Sequence, residues 1–133
     1  MTQLKVLVAE GDPETLKCLS RELRDLGFAV IEAGDGGATW QLAMQHAPEL
    51  VIADLELPGM SGWEVYERIR AHGGMFARTG FIMLCDTEAE MAMYRQIEGG
   101  PDRLLRTQVA VGDLIKSVRE TLAIHGWSLP AGQ

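Results

Sequence analysis

The sequence has few of the features on which secretion, membrane insertion or zinc binding depend. Its two cysteines, Cys18 and Cys85, show no CxxC spacing and have no neighbouring histidine, so we interpret both as free thiols. No stretch approaches the roughly 18 apolar residues of a membrane span, and the polar start MTQLKV does not have the pattern of a signal peptide. These absences predict a cytoplasmic protein with no membrane partner.

Basic residues are scarce as well. The chain has 12 of them against 19 acidic residues, which gives a formal net charge of −7, and it contains no basic run. Binding to nucleic acids depends on neutralising phosphates with lysine and arginine, so we expect no nucleic-acid binding by this domain. Hydrophobic residues are plentiful, however. They make up 47% of the 133 residues, which is enough for one compact domain with its own core.

Short apolar runs alternate with segments of helical period along the chain. This alternation predicts five βα units, and hence a parallel sheet with helices on both faces. We expect residues 1–125 to form one domain and residues 126–133 to be a tail or the beginning of a linker. The predicted strands are residues 4–9, 28–33, 50–53, 81–84 and 104–105.

Two aspartates stand where predicted helices begin. Asp12 precedes Pro13, and proline is favoured at the first position of a helix because its missing N–H is not needed there. Asp86 follows the fourth predicted strand in a similar position. Because a carboxylate accepts hydrogen bonds from the free N–H groups of a helix N-terminus, we expect Asp12 and Asp86 to cap the first and fourth helices.

Acidic residues follow two strands that are expected to be neighbours in a parallel sheet. Glu10 and Asp12 come after the first strand, Asp54 comes directly after the third, and Glu56 is close by. Their carboxylates would repel one another at one rim of the sheet unless a cation or a proton intervened. Mg²⁺ is the expected cation because it prefers oxygen ligands. Such a site suits phosphoryl transfer to a carboxylate, and Arg106, past the fifth strand, is the candidate protein cation.

The segment VIADLELPGMSGWEV, residues 51–65, resembles the phosphoacceptor strand and following loop of response-regulator receiver domains. VLVAEGDPE, residues 6–14, resembles the first strand of that family with its acidic pair. FIMLCD, residues 81–86, and GGPDRLLRT, residues 99–107, are similar to its fourth and fifth strands. The resemblance extends over about residues 4–125. It implies a doubly wound α/β fold of the (βα)5, flavodoxin-like type.

The resemblance also implies a function in two-component phosphorelay signalling. Asp54 would accept a phosphoryl group from a histidine kinase, a phosphotransfer protein or a small acyl phosphate, with Mg²⁺ as the required cofactor. The metal would contact the Asp54 carboxylate, the acidic residue Glu10 after the first strand and the backbone carbonyl of Glu56. Asp12 is an additional candidate ligand, although helix capping is the stronger interpretation of this residue. The domain would not be an enzyme beyond catalysing its own phosphorylation and dephosphorylation.

Three positions near the predicted site depart from the family pattern. Gly11 stands where the family usually has a second acidic residue that binds the metal directly. Cys85 replaces a Thr or Ser whose hydroxyl donates to a phosphoryl oxygen, and a thiol is a much weaker donor. Asp86 replaces a small residue, and its charge would repel an incoming phosphoryl donor. The resemblance is therefore to a receiver domain with a partly degenerate site.

The fifth predicted strand and the residues beside it carry three further departures. Arg106 takes the place of the family's lysine, which keeps the positive charge but exchanges an ammonium for a guanidinium. Thr107 replaces a proline that follows a cis peptide bond, so we expect a trans bond here. Arg103 stands where many receivers have an aromatic ring that changes rotamer on activation. Together, Cys85 and Arg103 remove both ends of the family's coupling between the site and the output face.

Two other functions stay open on the sequence. One is a degenerate receiver that binds a partner or dimerises without phosphorylation. The departures that favour it are those at Gly11, Cys85, Asp86, Arg103 and Thr107. The other is a flavodoxin-like enzyme or cofactor binder, which is disfavoured because the first βα turn has no glycine-rich phosphate loop. For the phosphorylated receiver, the expected partners are a histidine kinase or phosphotransfer protein, with an output domain or a second copy of the chain as the target.

Overall fold

A computed structural model describes residues 3–129 of the chain. Within these residues the elements are β1 (Lys5–Ala9), α1 (Pro13–Asp25), β2 (Ala29–Ala33), α2 (Gly36–His46), β3 (Leu50–Asp54), α3 (Gly62–His72), a 3-10 turn (Gly74–Phe76), β4 (Gly80–Cys85), α4 (Glu88–Arg95), β5 (Arg103–Arg106) and α5 (Val111–Ile124). The strands form one parallel sheet in the order β2-β1-β3-β4-β5. The predicted doubly wound (βα)5 fold is therefore confirmed.

The order of the strands brings the predicted site residues to one rim of the sheet. β1 pairs with β3, with Ala9 opposite Ala53, so the residues that follow these two positions lie side by side. β4 lies between β3 and β5, and Cys85 is in register with Arg106. Because all these strands are parallel, their carboxyl ends meet at the same edge, where sites form in open α/β sheets.

One hydrophobic cluster on each face of the sheet holds the helices in place. Leu23 of α1 and Leu122 of α5 belong to one cluster, and Ile69 of α3 and Met91 of α4 belong to the other. All five residues of β3 are buried. A parallel strand covered on both faces has no solvent-facing position, which explains why β3 is apolar up to Asp54. Within residues 3–129, no helix combines the length and the apolar character that crossing a bilayer requires.

The two predicted helix caps have different outcomes. The Asp12 carboxylate accepts from a backbone N–H in the first turn of α1 at 3.1 Å, as predicted. The prediction for Asp86 is wrong, because Thr87 caps α4 through a capping box with Glu90. The Asp86 carboxylate instead accepts a hydrogen bond from the hydroxyl of Thr107 at 3.0 Å, which ties the loop after β4 to the end of β5.

Trp127, just beyond α5, packs back onto the domain. Its indole N–H donates to the carbonyl of Arg78 at 2.7 Å, and the Arg78 guanidinium lies 4.0 Å from the centroid of the indole ring. The same guanidinium donates to the carbonyl of Gly126 at 2.7 Å. The predicted tail thus lies on the domain over residues 126–129, and residues 130–133 lie outside the described part of the chain.

Asp102 precedes β5 and joins three elements at the end of the sheet opposite the predicted site. One of its carboxylate oxygens accepts from the backbone N–H of Phe81 at 2.7 Å and lies 3.0 Å from the ring nitrogen of His125. The guanidinium of Arg70 lies 3.4 Å from the same oxygen. This residue therefore links α3, β4 and the end of α5.

An Asp102→Asn variant is expected to unfold more easily, because a neutral amide accepts weaker hydrogen bonds from these donors than a carboxylate does. The expected loss in the free energy of unfolding is about 1–2 kcal/mol, measured by urea denaturation. Glu98→Gln removes one acidic charge from an exposed loop residue nearby in the sequence, and it serves as the control. Equal unfolding midpoints for the two variants would show that Asp102 does not act as a link.

Candidate functional site

Asp54 lies at the end of β3, at the rim predicted from the sequence. The residue is only 6% exposed, so its carboxylate is largely removed from bulk water. One oxygen, Oδ1, accepts from the backbone N–H of Glu56 at 3.0 Å, which begins the turn out of the strand. This hydrogen bond orients the carboxylate and leaves the second oxygen, Oδ2, for an incoming group.

Glu10 follows β1 and is the buried partner of Asp54. The residue is 5% exposed, and its Oε1 accepts from the backbone N–H of Asp12 at 3.1 Å. The other oxygen, Oε2, is buried and has no hydrogen-bond partner among the described residues. Burial, and after it the adjacent Asp54 carboxyl, raise the pKa of Glu10 to about 7. Near neutral pH, Glu10 is therefore partly protonated, and a metal ion could replace this proton.

The two other predicted metal residues have different surroundings. The Asp12 carboxylate caps α1 and also accepts from the hydroxyl of Thr15 at 2.6 Å, which lowers the pKa of Asp12. This geometry favours helix capping for Asp12. The Glu56 side chain is exposed, and the charges of Glu90 and Asp86 raise its pKa. Because this side chain lies among the acidic residues at the start of α4, only the backbone carbonyl of Glu56 stays a predicted ligand.

Cys85 ends β4 and is fully buried in the hydrophobic cluster that includes Met83 and Met91. Burial is the main cause that raises the pKa of the Cys85 thiol to about 11, and the carboxylates of Glu90 and Asp54 add to it. The thiol is protonated at neutral pH and is a weak hydrogen-bond donor.

Arg106, the predicted protein cation, ends β5 on the same rim but is paired with another residue. Its Nη1 lies 3.6 Å from Oε1 of Glu88, the first residue of α4. Within residues 3–129, Arg106 forms no ion pair of 4.0 Å or less with Asp54. Its Nε is buried and has no partner among the described residues. The sequence alone did not identify Glu88, because its distance from Arg106 depends on the path of the loop after β4.

The trans peptide bond predicted at Thr107, the residue after Arg106, is confirmed. The backbone N–H of Thr107 donates to the carbonyl of Cys85 at 2.9 Å, and no peptide bond among the described residues is cis, as we expected at Thr107. Arg103, at the position of the family's aromatic ring, lies 3.9 Å from Glu120 of α5. Its guanidinium also donates to the carbonyl of Asp102 at 2.8 Å, so this side chain lies along β5 and α5.

Two glycines hold the loop between β3 and α3 in position. The N–H of Gly36 donates to the carbonyl of Pro58 at 3.1 Å, and the N–H of Gly62 donates to the carbonyl of Leu55 at 2.9 Å. A Cβ on Gly62 would lie 2.2 Å from the carbonyl oxygen of Asp54, so only glycine fits there. The contact of Gly36 with this loop is not evident from the sequence.

The donor set at the rim fits a hard divalent cation. Glu10 offers a buried oxygen that has no partner in the described part of the chain, and the neighbouring Asp54 offers a second carboxylate. Residues 3–129 contain no group of three or more His, Cys, Asp or Glu side chains arranged to hold a metal. Mg²⁺ commonly uses one or two carboxylates and completes its shell with water and phosphate oxygens, so two side chains suffice. Gly11 explains why a third carboxylate is missing from this rim.

Mg²⁺ binding is expected to strengthen as the pH rises through about 7, because Glu10 has a raised pKa and must lose its proton to act as a ligand. Below that pH, the observed affinity falls by up to roughly tenfold per pH unit, because the proton competes with the metal. Titration calorimetry at a series of pH values measures the slope. A Glu10→Gln variant is expected to bind more weakly and without this slope. A slope that persists in the variant would assign the proton to another group.

Comparisons with known proteins agree with this geometry. A protein-family model described as the response regulator receiver domain matches residues 6–119. The chain is similar to the DNA-binding response regulator MtrA of Mycolicibacterium smegmatis, with 30% identity over 118 residues that cover 89% of this chain and 50% of MtrA. It is also similar to the virulence sensor protein BvgS of Bordetella pertussis, with 43% identity over 124 residues that cover 90% of this chain and 10% of BvgS. The chain thus spans half or less of the length of these two relatives.

A solved structure gives the same fold. The receiver domain of the sensor histidine kinase PA1611 from Pseudomonas aeruginosa superposes with a TM-score of 0.81 at 20% identity, covering 92% of this chain and 99% of that chain. That structure has a magnesium ion coordinated in its active site cleft. At this level of identity, the likeness establishes only the fold of the chain. The chemistry of its site depends on the side chains that this chain has there.

Proposed function

The chain belongs to the response regulator receiver domain family of two-component signalling, and from this membership we propose that Asp54 is its phosphoacceptor. The observation that carries the proposal is the buried pair of Asp54 and Glu10, whose Oε2 has no hydrogen-bond partner within residues 3–129. Two buried carboxyl groups side by side are costly for a domain unless a proton or a cation neutralises part of their charge. A phosphoryl-transfer site needs such a cation, so the pair of carboxyl groups is suited to this reaction.

The chemical step is attack by the free oxygen of Asp54 on the phosphorus atom of the donor. An electron pair of Oδ2 forms the new O–P bond while the bond from phosphorus to the donor breaks, and the donor's nitrogen or oxygen keeps its electron pair. Glu56 supports this step, because its backbone N–H holds Oδ1 and so orients Oδ2. The donors we propose are a phosphorylated histidine kinase, a phosphotransfer protein or a small acyl phosphate.

Mg²⁺ is the proposed cofactor, held by Glu10, Asp54 and the backbone carbonyl of Glu56. When bound, it neutralises charge on the phosphoryl oxygens and brings them to the nucleophile. Arg106 supplies the protein's own positive charge at the rim, in the place of the family's lysine. Cys85 lies at the position of the family's hydroxyl, and its thiol gives the phosphoryl group little stabilisation. We expect transfer to be slower than in a receiver that has the hydroxyl.

The proposed role in signalling follows from the family and from the names of the relatives. MtrA is called a DNA-binding response regulator and BvgS a sensor protein, so receiver domains occur in both kinds of protein. We propose that phosphorylation of this domain acts on an output domain or on a second copy of the chain, in the cytoplasm. The domain itself carries a net charge of −7, and we assign it no role in nucleic-acid binding. Its catalysis is limited to its own phosphorylation and dephosphorylation.

A second candidate is a receiver that binds its partner without phosphorylation. The observation in its favour is the fully buried Cys85 thiol, which replaces a hydroxyl donor and lies among apolar side chains. Arg103, tied to Glu120, replaces the aromatic ring of the usual coupling. Both candidates use the same fold and differ in whether Asp54 reacts.

Acetyl phosphate separates the two candidates. Incubated with acetyl phosphate and Mg²⁺, the full chain is expected to gain the mass of one phosphoryl group, and removing Mg²⁺ with a chelator prevents the gain. Asp54→Asn is expected to abolish it, whereas Asp12→Asn, which changes an exposed helix cap, retains it. A chain that gains no mass and also binds no Mg²⁺ by titration would contradict the proposal and favour the second candidate.

A further inference from the structure

The guanidinium of Arg106 is paired with an acidic residue of another part of the fold and not with Asp54. It is 3.6 Å from Glu88 at the start of α4, and Asp54 is at the end of β3, with β4 between the two strands. With β4 between them, β3 and β5 are about 10 Å apart, a distance that an extended arginine side chain and an aspartate side chain cover together. In this structure the guanidinium forms its ion pair with Glu88.

The pair with Glu88 is a weak one. The side chains of Glu88 and Arg106 are 70% and 38% exposed, and an exposed ion pair contributes little because water and salt screen it. The Nε of Arg106 is buried without a partner among the described residues, so the guanidinium has an unused donor in this position. A phosphoryl group offers three acceptor oxygens and binds guanidinium by paired, charge-assisted hydrogen bonds, which are stronger.

We propose that Glu88 is a positioning residue that holds Arg106 away from Asp54 until a phosphoryl group displaces it. The inference rests on the proposed function of Asp54. On phosphorylation, Arg106 exchanges the Glu88 carboxylate for phosphoryl oxygens, and the N-terminus of α4 loses a side-chain tie to β5. The hydrogen bond between Asp86 and Thr107 keeps the loop after β4 attached, so the change is directed to α4.

This exchange gives the domain a coupling route that does not need the family's two switch residues. The hydroxyl position is filled by buried Cys85 and the aromatic position by Arg103, which is paired with Glu120 of α5. Glu88 and Arg106 instead join the rim of the site directly to the first residue of α4. The signal would therefore pass from Asp54 to α4 through one ion pair.

Beryllofluoride, a stable analogue of the phosphoryl group, tests the proposal on the full chain in the presence of Mg²⁺. Glu88→Gln is expected to tighten beryllofluoride binding by about threefold, because Arg106 no longer has a competing partner. Glu120→Gln removes one negative charge from a residue that pairs with Arg103, and its affinity is expected to equal that of the original chain. Titration calorimetry measures all three affinities.

A double-mutant cycle separates positioning from a general effect of charge. In an Arg106→Gln background, the additional Glu88→Gln substitution is expected to change the affinity no further. A gain that persists in this background, or no gain in the single variant, would overturn the role of Glu88 while leaving Asp54 as the acceptor. An original chain that binds no beryllofluoride would contradict the proposed function and the role of Glu88 together.

Discussion

A Gly36→Ala variant is expected to lose about 3 kcal/mol in its free energy of unfolding. A Cβ on Gly36 would lie 1.7 Å from the carbonyl oxygen of Met60 and 2.6 Å from the Cβ of Met60. The carbonyl is part of the backbone and has no rotamer that moves it away, so the loop after β3 or the start of α2 must shift. The hydrogen bond from the Gly36 N–H to Pro58 would be lost in that shift.

Gly37→Ala is the matched control for this prediction. The two glycines are adjacent in the first turn of α2, but a Cβ on Gly37 would meet only the Asp35 carboxylate at 3.4 Å, an ordinary contact. Alanine is the better helix former, so this variant is expected to be as stable as the original chain or slightly more stable. Urea unfolding measures both. Equal stability of the two variants would show that the loop after β3 yields easily and is not fixed by Gly36.

A Gly11→Asp variant is expected to bind Mg²⁺ at least roughly tenfold more tightly, because it adds a third carboxylate at the rim. Gly11 lies between Glu10 and Asp12, at the position where the family usually has a metal ligand. A Cβ on Gly11 would lie 3.2 Å from the Cδ of Pro58, so the proline ring must move by a few tenths of an ångström. This steric cost is small compared with the gain from a third charged ligand.

Gly11→Asn separates the two effects, since asparagine has the same size as aspartate but no charge. It meets the same contact with Pro58 and is expected to bind Mg²⁺ much more weakly than Gly11→Asp. Calorimetric titration with Mg²⁺ alone measures the difference. Equal affinities for the two variants would mean that residue 11 does not face the metal in this chain.

Much of the fold could be predicted because buried parallel strands have a distinctive sequence. The apolar run at residues 50–53 leads directly to Asp54, and the strand boundaries differ from the predicted ones by one residue at this point. The start of α4 was predicted wrongly, because Asp86 and Thr87 are both residues that cap helices. The distance of three residues from Thr87 to Glu90 is the capping-box pattern, and this signal could have identified the correct cap.

The candidate site could be predicted only as far as backbone positions determine it. The strand order brings Glu10, Asp54, Cys85 and Arg106 to one rim, as the alternation of strands and helices indicated. The sequence could not give the direction of each side chain. The contact of Arg106 with Glu88 depends on rotamers and on packing between distant segments. The same holds for the buried oxygen of Glu10, which has no partner among the residues that the structure describes.

The most direct measurement of the central proposal locates the phosphoryl group on the chain. After incubation with acetyl phosphate and Mg²⁺, the acyl phosphate is reduced with borohydride and the chain is digested for mass spectrometry of its peptides. Reduction of a phosphorylated aspartate leaves homoserine, and we expect that product at Asp54 alone. Homoserine at another aspartate, or unmodified Asp54 in a chain that binds Mg²⁺, would contradict the assignment of Asp54 as the phosphoacceptor.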